Sequence, residues 1–276
     1  MDYQQKFRVA PGTRLKLKDL DPDFMDGHAD RKDAEDEIAH YQQRLRELQE
    51  ILYAQGQHSL LICLQAMDTG GKDGTINHVL GAMNPQGCRV AHFRQPSAEE
   101  ASHDFLWRAE RVAPARGEVV IFNRSHYESV LVVRVHELVP KSVWSARYDA
   151  INAFEKRLAG NDTRILKFYL NISKDEQLRR FKDRLDDSTK HWKISEADYK
   201  ERNYWDAYQE AYEDALSRCS TDAAPWYVIP ADHKWFRNLA VARIVVEQLE
   251  ALKMDYPKAN VDIDKIRADY HAAKKA

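Results

Sequence analysis

Five short apolar runs punctuate the chain, at 59–64, 89–93, 118–122, 165–172 and 226–229, and helix-like spacing fills the intervals between them. Runs of this length bounded by turn residues read as buried strands, and strands alternating with helices predict a parallel sheet. Ligands of such sheets bind outside the carboxyl ends of the strands. Between 34 and 55, apolar residues fall at Ile38, Tyr41, Leu45, Leu48 and Leu52, the three-and-four spacing of an amphipathic helix. Further helical patterns cover 76–83, 128–138, 141–158, 199–217 and 234–253. Two helix starts carry a capping-box signature. Ser173-Lys174-Asp175-Glu176 opens a helix through Leu185, and Ser97-Ala98-Glu99-Glu100 opens one reaching about Val112. Residues 1–32 are polar and irregular and read as an arm packed on the surface.

Composition narrows this picture. With 276 residues, 43% of them hydrophobic, the chain can bury a sizeable core. No linker, low-complexity tract or internal repeat divides it, so 1–276 is expected to form one domain. The net charge of −2, from 42 basic and 44 acidic residues, argues against bulk binding of nucleic acid or anionic membrane. A local basic groove remains compatible with it. No start resembling a signal peptide is present, and no apolar run approaches the roughly 18 residues of a spanning helix. Cys63, Cys88 and Cys219 form an odd, sparse set without C-x-x-C spacing, which fits a reducing cytoplasm, and Cys63 and Cys88, in or beside predicted strands, read as small core residues.

The chemistry concentrates where the first strand ends. Gln65-Ala66-Met67-Asp68-Thr69-Gly70-Gly71-Lys72-Asp73-Gly74-Thr75 places glycines and a lysine between a strand and a helix. Such a turn lets backbone N–H groups of residues such as Gly70, Gly71, Gly74 and Thr75 cradle phosphate oxygens, while Lys72 reaches the outer phosphates. The common pattern G-x-x-x-x-G-K followed by Ser or Thr would want Gly at 66 and a hydroxyl at 73; here stand Ala66 and Asp73. Asp68 adds a carboxylate, which either points away from phosphate or binds Mg²⁺, and the missing hydroxyl favours the second. Together these features predict a three-layer α/β sandwich of the phosphate-loop kinase type on a five-stranded parallel sheet.

Three further groups admit two readings each. Asn123-Arg124-Ser125-His126-Tyr127-Glu128 follows an apolar strand at the same sheet edge. It is either an ordinary polar strand end or a metal-associated acid with an arginine that neutralises a transferring phosphoryl group. Between 179 and 205 lie Arg179, Arg180, Arg184, Lys190 and Lys193, with Trp192 and Trp205 interleaved. These form either a solvated helix face or a lid that closes cations over a polyanion. Phe93, Asp104, Trp107 and Arg108 suit either a base-stacking wall or a core helix. His78, His103 and His126 are isolated and fit no metal-ligand spacing.

Several of these segments, taken in order, resemble the polyphosphate kinase 2 family. They are 67–75, 122–128 and Lys190-His191-Trp192-Lys193-Ile194-Ser195, together with 95–108, 173–177 and Ala224-Pro225-Trp226-Tyr227-Val228-Ile229-Pro230. The resemblance runs from about residue 5 to 255. It implies a thymidylate-kinase-like fold with a helical lid and Mg²⁺-dependent phosphoryl transfer between inorganic polyphosphate and a nucleotide. Asp68, Lys72 and Arg124 would be catalytic, with Asp68 and Glu128 on the metal. The basic residues of 179–205 would hold polyphosphate. Asn84, Phe93, Arg108, Asn123 and Arg124 would line the site of an adenine or guanine nucleotide, AMP or ADP. The pair Asn123 and Glu128, where many members carry Asp and Asn, resembles the subgroup acting on both mono- and diphosphates. The family also implies a homo-oligomer. The rival readings are an ATP-dependent nucleoside monophosphate kinase and a non-catalytic nucleotide sensor.

Overall fold

A computed structural model describes residues 1–274, so the last two residues of the 1–276 span lie outside the described residues. All five apolar runs are strands: β1 (Ser59–Ala66), β2 (Cys88–His92), β3 (Val119–Asn123), β4 (Thr163–Asn171) and β5 (Trp226–Pro230). They pair in parallel in the order β2-β3-β1-β4-β5. Every residue of β1, β3 and β5 is buried, which is why these strands read as continuous apolar runs. Only the edge strand β2 has exposed positions, among them Arg89 and His92.

The helices follow in chain order. α1 (Tyr3–Phe7) lies in the arm, α2 (Glu35–Gln55) precedes β1, and α3 (Lys72–His78) follows it. The helix expected from Ser97 to Val112 is two pieces, α4 (Ala98–Ser102) and α5 (Trp107–Arg111). Asp104 interrupts it: its Oδ1 accepts the Leu106 N–H at 2.9 Å and its carbonyl accepts that of Trp107 at 2.9 Å. The pattern at 128–138 gives only a 3₁₀ turn, His126–Ser129, and α6 (Val132–Val135), ending where Glu137 turns left-handed at φ 50°. α7 (Lys141–Ala159), α8 (Lys174–Asp186), α9 (Glu196–Glu201), α10 (Trp205–Cys219) and α11 (Lys234–Glu250) follow, and α12 (Ile263–Ala273) was not foreseen.

The two capping signatures diverge. Ser97 and Glu100 close both halves of the box, at 3.2 and 2.8 Å. Ser173 caps the Glu176 N–H at 3.0 Å, but the Glu176 carboxylate turns instead to Arg179 and Arg180. The arm is also more than a surface strap. Tyr3, Phe7, Val9 and Leu17 are buried, and the Val9 N–H donates to the Trp226 carbonyl at 2.9 Å.

Right-handed crossovers in opposite directions put α3 and α7 on opposite faces of the sheet. Lys167 and Tyr169, two apart on β4, both face the α7 and α10 side, where Tyr169 meets Tyr212 at 4.4 Å. α11 packs along α2 on the α3 side. Among the described residues no helix is long and apolar enough to cross a membrane.

A buried ionic knot ties these layers together. Lys167, fully buried, donates to Glu155 at 2.5 Å, the Cys219 carbonyl at 2.6 Å and the Tyr127 hydroxyl at 2.8 Å. Glu155 also bonds His126 at 3.1 Å, directly below the strand end that carries Arg124. Glu155→Ala strands a buried cation and should lower the unfolding free energy by about 3–5 kcal/mol in a urea titration. A loss under about 1 kcal/mol would contradict that assignment.

Candidate active site

The carboxyl ends of β1, β3, β4 and β5 deliver residues 67–75, 123–128, 171–177 and 231–238 to one edge of the sheet. The chain runs from β1 out to β2, returns through β3 and crosses over to β4, so β1 ends at the point where the strand order reverses. A cleft of about 1490 Å³ opens there. Eleven Lys and Arg residues line it against five Asp and Glu, in a chain whose net charge is −2.

The loop after β1 turns its carbonyls inward and leaves donors outward. The Lys72 Nζ holds the Ala66 carbonyl at 3.1 Å, Gln177 holds that of Asp68 at 3.0 Å, and Arg180 holds that of Thr69 at 3.0 Å. Among the described residues the N–H groups of Gly71, Lys72 and Asp73 have no protein acceptor. That polarity suits an anion. Gly71 has φ 104°, and Thr69, a β-branched residue, is held at φ 62°, a local strain that the tied carbonyls fix in place. Thr75 is buried and gives its hydroxyl to the Gly71 carbonyl at 3.2 Å, so its side chain braces the loop. Burial and the nearby Arg124 charge lower the Lys72 ammonium from its ordinary value to about 8, against the pull of Asp68, Glu128 and Asp73.

β3 supplies the opposing wall. Arg124, at φ 60°, continues the sheet ladder through its N–H to the Leu64 carbonyl at 3.1 Å. Its guanidinium then reaches Asp68 at 3.1 Å and Glu128 at 3.4 Å. Those two carboxylates hold it above its ordinary pKa, Glu128 most strongly, so it stays cationic. Asn123 turns its amide N–H to Asp73 at 2.9 Å. Burial works against the Asp73 carboxylate, but that hydrogen bond, Lys193 and Lys72 keep it below its usual range. Asn123 therefore orients the carboxylate that stands where a hydroxyl would be usual.

The basic stretch reaches the same cleft through residues 179–193, whereas Trp205 does not line it. Arg179, Arg180, Arg184, Lys190, Trp192 and Lys193 all line it, and Lys193 lies 3.7 Å from Asp73. Trp192 is 78% exposed over the opening. Arg180 differs from its neighbours: it is buried, ion-pairs with Glu176 at 2.6 Å, and props the loop. Of the expected nucleotide residues, Asn123, Arg124 and Phe93 line the cleft, whereas Asn84 and Arg108 do not. Asn84 caps the turn Pro85–Gly87, and Arg108 donates to the Arg94 carbonyl at 2.8 Å. Phe93 is largely buried, its ring centroid 4.9 Å from the Arg108 guanidinium and 4.7 Å from the Phe122 ring. Two walls had no signal in the sequence: Ile38, Ala39 and Gln42 of α2, and Lys234, Arg237 and Asn238 of α11.

Comparison with known proteins identifies the family and the fold. The family model for Polyphosphate kinase 2 (PPK2) matches residues 28–257. The AMP/ADP-polyphosphate phosphotransferase of Meiothermus ruber is 52% identical over 95% of this chain and 98% of its own. The ADP-polyphosphate phosphotransferase of Rhodopseudomonas palustris is 47% identical, with 92% of each chain covered. The crystal structure of polyphosphate kinase 2 from Arthrobacter aurescens superimposes with a TM-score of 0.95 at 45% identity, over 99% of this chain and 97% of that one. The chain belongs to the polyphosphate kinase 2 family.

Proposed function

We propose that this cleft transfers a phosphoryl group between inorganic polyphosphate and an adenine or guanine nucleotide, AMP or ADP becoming ADP or ATP, or the reverse. The observation that carries this reading is the surplus of cations lining one cleft in a chain whose net charge is −2. A polyanion needs such a track, whereas a single nucleotide would need only the loop. Polyphosphate lies over residues 70–75, and 179–205 acts as the lid above it. The nucleotide enters from the β2 side, where His92, Phe93 and Arg94 line the cleft. Lys72 and Arg124 stabilise charge spread over the transferring group. The attacking oxygen belongs to an already ionised phosphate, so no general base is required.

Mg²⁺ fits this site as an ion shared with substrate. Among the described residues no group of three metal-binding side chains forms a protein cage. Asp68 and Glu128 nevertheless bring two carboxylates to Arg124, and Mg²⁺ commonly binds through one or two carboxylates plus phosphate oxygens and water. Held by those two, the ion supplies neutralisation of phosphate charge. Two further parts of the reading are a reducing, cytoplasmic setting, supported by three unpaired cysteines, and a homo-oligomer, supported by the exposed stripe Ile263, Ile266 and Tyr270 on α12.

Initial rates with AMP, ADP, GMP and GDP, polyphosphate being the sole donor, test the assignment; no turnover of any of them would refute it. Acidity adds a second check. Lys72 must be cationic to bind phosphate, and its pKa near 8 in the free protein means kcat/KM should fall as pH rises through about 8. A bound polyanion restores the charge, so the limb in kcat should lie at higher pH. Coincident limbs would show that another group governs them.

A further inference from the structure

Two arginines lining the cleft are buried, and among the described residues one of them has no carboxylate partner. Arg237, on the second turn of α11, is 3% exposed, and its guanidinium lies against the backbone of the phosphate loop. A Cβ at Gly71 would stand 1.8 Å from its Nη1, and one at Gly74 would stand 2.9 Å from its Nη2. Both glycines are therefore shaped around this side chain. Its hydrogen bonds run from Nε and Nη2 to the Asn238 amide oxygen, at 3.1 and 2.8 Å, and among the described residues Nη1 has no acceptor. Among the described residues no carboxylate pairs with it, in contrast to Arg180, which has Glu176. Burial and the nearby Arg180 push its pKa down to about 9. A buried, unmatched cation is expensive, and a mere packing strut would be served better by an apolar side chain.

We propose that Arg237 is a phosphate-binding residue, its free Nη1 taking an oxygen of a donor phosphate that is not being transferred, flanked by Lys234 and Asn238. This rests on the polyphosphate reading above. The sheet order supports the division of labour: Arg124 follows β3 on one side of the loop, while α11 follows β5 on the other. The transferring group is held by Lys72 and Arg124, and the chain beyond it passes toward α11. The charge of Arg237 is then balanced only in the complex.

Arg237→Met should raise the KM for polyphosphate by about 10- to 100-fold, the range for a lost hydrogen bond to a charged group. The KM for ADP should stay unchanged, and Arg237→Lys should recover part of the loss. Tripolyphosphate should raise the Tm of the wild-type protein but not that of Arg237→Met, whose Tm without ligand should equal or exceed the wild-type value. The proposal is overturned if Arg237→Met keeps the wild-type KM and tripolyphosphate shift. It is equally overturned if that variant fails to melt cooperatively, or if the KM for ADP rises instead. A wild-type protein stabilised by tripolyphosphate through Arg237, yet unable to use polyphosphate as donor, would sink the proposed reaction and keep the anion site.

Discussion

Lys72→Ala is expected to lower kcat by about 10³-fold or more while leaving the melting temperature within a few degrees of wild type. Removing one preorganised donor from developing charge costs about 10²–10³ in other enzymes, and Lys72 contributes a full charge as well. It also shapes the loop, since its Nζ holds the Ala66 carbonyl at 3.1 Å beside the N–H groups that face the cleft. Stability should hardly change for a physical reason. The native surroundings lower the pKa of Lys72, so they disfavour its charged form, and deleting that form removes an unfavourable term. Steady-state kinetics with a thermal melt on the same preparation check both halves. A variant with near-wild-type kcat would remove Lys72 from the mechanism.

Arg124→Ala should cost as much or more, about 10³-fold at least, the lower end for an arginine that stabilises a transferring phosphoryl group. Two losses coincide. The positive charge disappears, and Asp68 and Glu128, now at 3.1 and 3.4 Å from its guanidinium, lose the cation between them. Arg124→Lys should not restore the rate, because a single ammonium cannot reproduce the planar fork that meets both carboxylates. Rapid-quench measurement of the transfer step in the two variants decides this. Recovery by lysine to within about threefold of wild type would mean that charge alone, without the bridging geometry, is what matters.

The strands were legible because β1, β3 and β5 are buried on both faces and leave unbroken apolar runs. Asp104 hid the break between α4 and α5, since one acidic residue within a helical spacing looks like a solvent-facing position until its carboxylate is seen capping Leu106. The site divided along similar lines. Asp68, Lys72 and Arg124 follow strands directly, so strand position alone brought them together. The basic stretch 179–205 was ambiguous because dilution by acids suits a solvated face. Folding settles its place, as Gln177 and Arg180 fasten α8 to the loop carbonyls. Asn84 failed to reach the cleft because Gln49 takes its N–H and its side chain caps a turn. Arg237 left no trace at all: an arginine within a largely apolar helix gains meaning only from Gly71 and Gly74 packed around it.

The central claim is that polyphosphate is the donor. Purified protein should be incubated with ADP, Mg²⁺ and polyphosphate, with no nucleoside triphosphate present, and ATP followed by luminescence. The account predicts ATP formation that depends on polyphosphate and is lost in Lys72→Ala. Equal ATP with and without polyphosphate, or none until a nucleoside triphosphate is supplied, would contradict it.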